Sequence, residues 1–182
     1  LAIAPEEPDA LDNTGLIYRV QKMIDEEIHS WRMFLQNNRS GTKAFRALQR
    51  LNAYNDFSFR AYRIGLREII LNQQALLDDS LPVQIRLDEL EKIASLLEDN
   101  SYFDIEVVTF VENDLEAAQR RAFEIKRLIE NTSKNVSNRV KLSWFDVPEI
   151  IQSDNGKIES ELSESILFFS QVPVNFTKET SI

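Results

Sequence analysis

The chain has 182 residues and a formal net charge of −9, with 30 acidic against 21 basic side chains. That length is enough for one domain with a real core, and that charge argues against general affinity for nucleic acid or an anionic membrane, both of which reward a basic surface. With no cysteine and one histidine, disulfides, thiolate nucleophiles, cysteine-ligated metals and zinc sites built on several histidines are excluded.

The chain opens LAIAPEEPD, without methionine, which predicts a mature chain after signal removal or a domain cut from a longer protein, with an extracytoplasmic location favoured. From Pro8 to Asn37 the apolar positions Leu16, Ile17, Val20, Met23, Ile24, Ile28, Trp31, Phe34 and Leu35 recur at three and four residues, which predicts one long helix. Asn37 to Gly41 supplies turn residues, with Ser40 or Thr42 as the cap of the next helix. That second helix is predicted over about Lys43 to Asp79, on Phe45, Leu48, Leu51, Tyr62, Leu66, Ile69, Ile70 and Leu76, with Gly65 as a bend point.

Ser80-Leu81-Pro82 breaks that pattern, and a shorter third helix is predicted over about Val83 to Glu98. A fourth is predicted from Tyr102 to Val136, where Ala118 and Ala122 permit close packing. The β-branched run Ile105 to Val111 has a strand as its alternative, set aside for want of a second strand to pair with. Ser143 to Pro148 reads as an aromatic turn, Lys157 to Phe169 as a last amphipathic helix, and Gln171 to Ile182 as an extended or flexible tail.

Four glycines and five prolines, with abundant Leu, Ile, Glu, Arg, Ala and Gln, favour helix throughout. The fold expected is all-α: an elongated antiparallel bundle of about four main helices, with a short C-terminal helix and tail. The bundle occupies residues 8–140, and the aromatic turn, short helix and tail occupy 141–182. No apolar run approaches the roughly 18 residues of a membrane-spanning helix. Asn38, Asn131, Asn135 and Asn175 each open an Asn-x-Ser/Thr triplet; in an asparagine-rich chain these are read as chance matches.

Glu26-x-x-His29 has the spacing of half a di-iron site in a helical bundle. A complete site needs two such histidines, so no metal is expected there. No nucleophile elbow or glycine-rich phosphate loop is present, so no catalytic residue and no cofactor is assigned. One enzyme reading needs only carboxylates on helices, an all-α magnesium-dependent nucleotide pyrophosphohydrolase. Asp88, Glu89, Glu91, Glu98, Asp99, Glu112, Asp114 and Glu116 offer hard oxygen ligands, yet their spacing does not reproduce that family's paired motifs.

Charge segregation is the more distinctive feature. Residues 39–67 hold seven basic side chains against Asp56, while residues 68–118 hold thirteen acids against Arg86 and Lys92. Helical spacing groups Lys43, Arg46 and Arg50, and likewise Arg60, Arg63 and Arg67. The stripe either faces acidic helices of its own bundle or docks a protein partner or a second copy of the chain. The function expected is a non-catalytic interaction or sensory module, one domain or subunit of a larger assembly. The pyrophosphohydrolase and a structural subunit of a viral or organellar assembly are the alternatives.

Overall fold

The computed structural model describes residues 8–132, 136, 138–152 and 156–171. The elements run α1 (Pro8–Gln21), α2 (Ile24–Asn37), α3 (Gly41–Ala53), β1 (Phe59–Ile64), β2 (Arg67–Asn72), α4 (Gln73–Leu77), α5 (Val83–Asp99), β3 (Asp104–Val111), α6 (Leu115–Thr132), β4 (Val140–Phe145), β5 (Glu149–Gln152), β6 (Ile158–Leu162) and β7 (Glu164–Gln171). The described strands form three sheets, ordered β1-β2, β4-β3-β7 and β5-β6. The fold is therefore mixed α/β, and the all-α bundle with a C-terminal helix is overturned. The tail expected beyond Gln171, with the triplet at Asn175, lies outside the described residues, as does Asn135.

Each departure from the expected bundle has a local cause. The first helix is two: Lys22 takes φ +59°, and its N–H and that of Met23 donate to Arg19 and Tyr18 carbonyls. That is a Schellman stop, with lysine where glycine is usual. The second helix ends at Ala53, and the chain beyond it becomes a hairpin. Gly65, at φ +60°, supplies the positive φ that a two-residue hairpin loop needs, and a Cβ there would lie 2.8 Å from the Phe103 ring. The fourth helix is a strand followed by a helix: Asn113 takes φ +60°, and the Asp114 carboxylate accepts from the Ala117 N–H at 2.8 Å, capping α6. The aromatic turn and last helix of the expectation are β4, β6 and β7. Only the third helix keeps its expected identity and limits, as α5.

The chain divides into two compact units, one of Leu1–Ala61 with Ile69–Gln74, the other of Tyr62–Glu68 with Ala75–Ile182. In the first, α2 and α3 bury Trp31, Phe34, Leu35, Ala44, Ala47, Leu48 and Leu51 together with Phe59 and Ile70. Gly15 of α1 meets the Trp31 ring so closely that a Cβ there would lie 2.7 Å from it.

In the second unit β3 is central. It runs parallel to β4 and antiparallel to β7, with α6 as the crossover that a parallel pair requires. Ile105, Val107 and Thr109 are fully buried on β3, as are Ala118 and Ala122 on α6. Thr109 donates its hydroxyl to the Ala118 carbonyl at 2.7 Å, which holds the helix close on the strand. Arg139 donates to the Leu97, Asn100 and Phe103 carbonyls, giving partners to groups that the end of α5 would otherwise orphan.

Candidate functional site

Of the basic side chains expected to share a docking stripe, Lys43, Arg46 and Arg50 lie on α3, Arg60 and Arg63 on β1 and Arg67 on β2. Arg46 Nη2 donates to both carboxylate oxygens of Asp12 on α1, at 2.6 Å to Oδ2, and Lys43 lies 3.6 Å from the same group. The stripe does face an acid of its own unit, Asp12 on α1. Arg50 lies in the last turn of α3. Strand alternation puts Arg60 and Arg63 on opposite faces of β1, and Arg67 begins β2; helical spacing does not relate these three.

The acids weighed as magnesium ligands have separate roles. Glu89 is buried and pairs with Lys92 at 3.1 Å. Asp88 accepts from the Gln84 amide at 2.7 Å, Asp114 caps α6, and Glu116 lies 3.8 Å from Arg120. Among the described residues no group of three or more histidine or carboxylate side chains is gathered as a metal site would need.

Glu26 and His29 meet in another context. They line a groove of about 540 Å³ between α1 and α2. Leu11, Tyr18 and Met33 supply its apolar surface, with Thr14 and Ser30 between them. Both hydroxyls are engaged inside the helix pair: Thr14 donates to the Ala10 carbonyl at 2.6 Å and Ser30 to that of Leu11 at 3.0 Å. The polar groups left facing the groove are the exposed Asp25, Glu26 and His29 in the first turns of α2, where acids also suit the helix dipole.

Behind that groove Glu27 is 1% exposed. It accepts from Trp31 Nε1 at 3.1 Å and from the Tyr54 hydroxyl at 2.8 Å. The hydrogen bond to Glu27, then burial, then the Glu27 charge hold the Tyr54 pKa above its ordinary value, against smaller opposing effects of Arg19 and Arg50. The DEEIHSW stretch thus splits by helical geometry. Glu27 and Trp31, four apart, turn inward; Glu26 and His29, three apart, turn to the groove.

The opposite side of α1 carries the least expected surface. Asn13, Leu16, Ile17, Val20 and Gln21 line a shallow cleft there. Ile17 is 54% exposed and Val20 83%, and Met23 and Ile24 are exposed just beyond. The charged residues of α1 after Ala10 are Asp12 and Arg19, which helical spacing puts on the Gly15 side. A surface helix normally turns its charges to solvent; here Asp12 is buried while Arg19 is exposed, and neither lines the cleft. Periodicity assigns these apolar positions to a core stripe of one long helix, and the turn at Lys22 ends that helix.

No family model matches the chain, and no curated protein matches it. Among solved structures it is similar to the periplasmic domain of Helicobacter pylori MotB, at 16% identity and a TM-score of 0.48, over 64% of this chain and 83% of that one. A likeness of that degree carries no function across. No helix of the described residues is long and apolar enough to cross a membrane.

Proposed function

We propose that the chain is a non-catalytic interaction domain of a larger assembly, and that it pairs with a second copy of itself through the outer face of α1. The observation that carries this reading is the exposed apolar surface of Ile17 and Val20, continued by Met23 and Ile24, in a cleft that no charged side chain lines. In a two-fold interface each residue meets its own neighbourhood again, so any net charge on the surface meets its like. With a net charge of −9, a neutral face is the one suited to self-pairing. Asn13 and Gln21 at its rim hydrogen-bond to their own kind as both donor and acceptor. Exposed contiguous apolar side chains of this sort mark association sites more often than chance surface.

The chain holds no cysteine, so Val20→Cys introduces a lone thiol. Mild oxidation is expected to link two copies through it, whereas Ser95→Cys on the exposed side of α5 gives none. In sedimentation, Ile17→Glu with Val20→Glu is expected to convert dimer to monomer without loss of helical signal, because both side chains already stand in water. A monomeric wild type at concentrations of about 100 μM, where even weak association registers, defeats the reading.

A further inference from the structure

The groove on the other flank of α1 is independent of that self-pairing face. Leu11, Thr14 and Tyr18, three and four apart, line it, and it shares no lining residue with the cleft of Ile17 and Val20. A pair of packed helices offers two grooves. Here α3 occupies one, where Trp31, Phe34 and Leu35 meet Leu48 and Leu51. The other is the space of about 540 Å³ lined by Tyr18, His29 and Met33, and among the described residues no element fills it. Its lining runs along α1 from Leu11 to Tyr18, roughly two helical turns at about 1.5 Å per residue, the length over which a third helix sets down two or three anchoring side chains.

Charge decides what kind of helix. The Thr14 and Ser30 hydroxyls donate to backbone carbonyls of α1, so they offer a visitor little. What remains is an apolar floor bordered at one end by the Asp25 and Glu26 carboxylates, which accept hydrogen bonds and cannot donate them. The complement is an apolar stripe flanked by cationic donors, with the Tyr18 ring as a further surface for a guanidinium or ammonium. We infer that the groove between α1 and α2 takes one helix of a protein partner, amphipathic and basic, with Leu-type anchors on the Leu11–Met33 floor and Lys or Arg set against Asp25 and Glu26.

A labelled synthetic helix of about four turns, with leucine along one face and lysine along its flanks, provides the probe, and its twin with glutamate in place of lysine the control. By fluorescence anisotropy against the full chain, the lysine helix is expected to bind and the glutamate helix not to. Asp25→Lys with Glu26→Lys is expected to weaken binding by about tenfold or more, as is Met33→Ala through the floor. Because any cation is drawn to an acidic protein, the deciding control is Glu112→Lys with Glu116→Lys, which changes net charge equally at exposed positions that do not line the groove. It is expected to cost less than about threefold, the long-range part alone. Equal losses from the two double variants, equal binding of both peptides, or no binding of the lysine peptide each overturn the inference. None of these outcomes bears on the oligomeric state, so the self-pairing face stands or falls separately.

Discussion

In the first unit Asp12 and Asp56 have side chains 6% and 7% exposed, while the arginines that serve them, Arg46 and Arg32, remain 41% and 46% exposed. The second unit inverts this. Arg86 and Arg121 are 9% and 11% exposed, and the acids around them, Asp79, Glu124 and Glu164, are 64%, 36% and 38% exposed. Glu89 with Lys92 is an exception, since there the acid is again the buried member. Burial pulls the Arg121 pKa down, but hydrogen bonds and charge from Asp79 and Glu164 outweigh it and hold the group above its ordinary value. A guanidinium is more weakly hydrated than an ammonium and suits the buried role. In both units only one member of the pair is desolvated, and the exposed member exists to compensate it.

The asymmetry sets a rule that mutation can break: deleting the exposed partner strands a buried charge, while deleting the buried partner leaves a solvated one. Asp79 is the sharpest case, because it accepts from Arg86 at 3.1 Å and from Arg121 at 2.5 and 3.1 Å. Asp79→Ala is expected to lower unfolding free energy by about 3 kcal/mol, because two buried guanidiniums lose a partner at once, Arg86 keeping Glu124 and Arg121 keeping Glu164. Arg121→Met is expected to cost under about 1 kcal/mol, since its methylenes are replaced, Asp79 keeps Arg86 and Glu164 returns to water. Urea titrations of the two variants test the order, and a costlier Arg121→Met would refute it.

In the first unit the same rule is weaker, because Lys43 stays beside Asp12 when Arg46 is lost. Arg46→Met is expected to cost about 2 kcal/mol and Asp12→Asn about 1 kcal/mol. Hydrogen exchange is expected to localise the Arg46→Met loss to amides of α1 and α3, the helices that the pair joins. Uniform loss across β3 and α6 would mean that the pair stabilises something other than its own unit.

The parts of this fold that are legible from sequence are those set by local pattern. Val83 to Glu98 carries an apolar stripe of helical period behind Pro82, and nothing in the tertiary structure contradicts it. The run Ile105 to Val111 carries the strand signal, but a strand is stable only with partners, and its partners hide. The β7 segment Ile166-Leu167-Phe168-Phe169 is an unbroken apolar run that fits helix and buried strand alike, and the β4 segment ends in Trp144-Phe145, which reads as a turn beside Pro148. The turn at Lys22 has no signal at all, since lysine is not a residue that favours positive φ. That turn divides the expected long helix into α1 and α2, the pair whose packing forms the groove beside His29. The site is invisible in the sequence because its cause lies in backbone geometry and not in side-chain periodicity.

The smallest effect tests the buried acid that lies outside the rule. Glu27 is buried, yet the groups that donate to it are neutral, Trp31 Nε1 and the Tyr54 hydroxyl. Tyr54→Phe removes one of two donors to a buried carboxylate and is expected to cost about 1 kcal/mol near neutral pH, the usual net worth of such a bond. The sign of its pH dependence comes from the raised Tyr54 pKa. A folded-state value above the ordinary 10.0 means that folding favours the protonated phenol. The stabilisation is therefore fully present below the unfolded pKa and is lost as pH rises through the folded one. Wild type and Tyr54→Phe are expected to differ by a constant amount up to about pH 9 and to converge above the ordinary tyrosine range. In a spectroscopic titration of the four tyrosines, the variant is expected to lack one step above the ordinary tyrosine range. Parallel stability curves through the alkaline range would show that Tyr54 does not donate to Glu27, and the buried acid would then need a cation after all, returning it to the rule that Asp12 obeys.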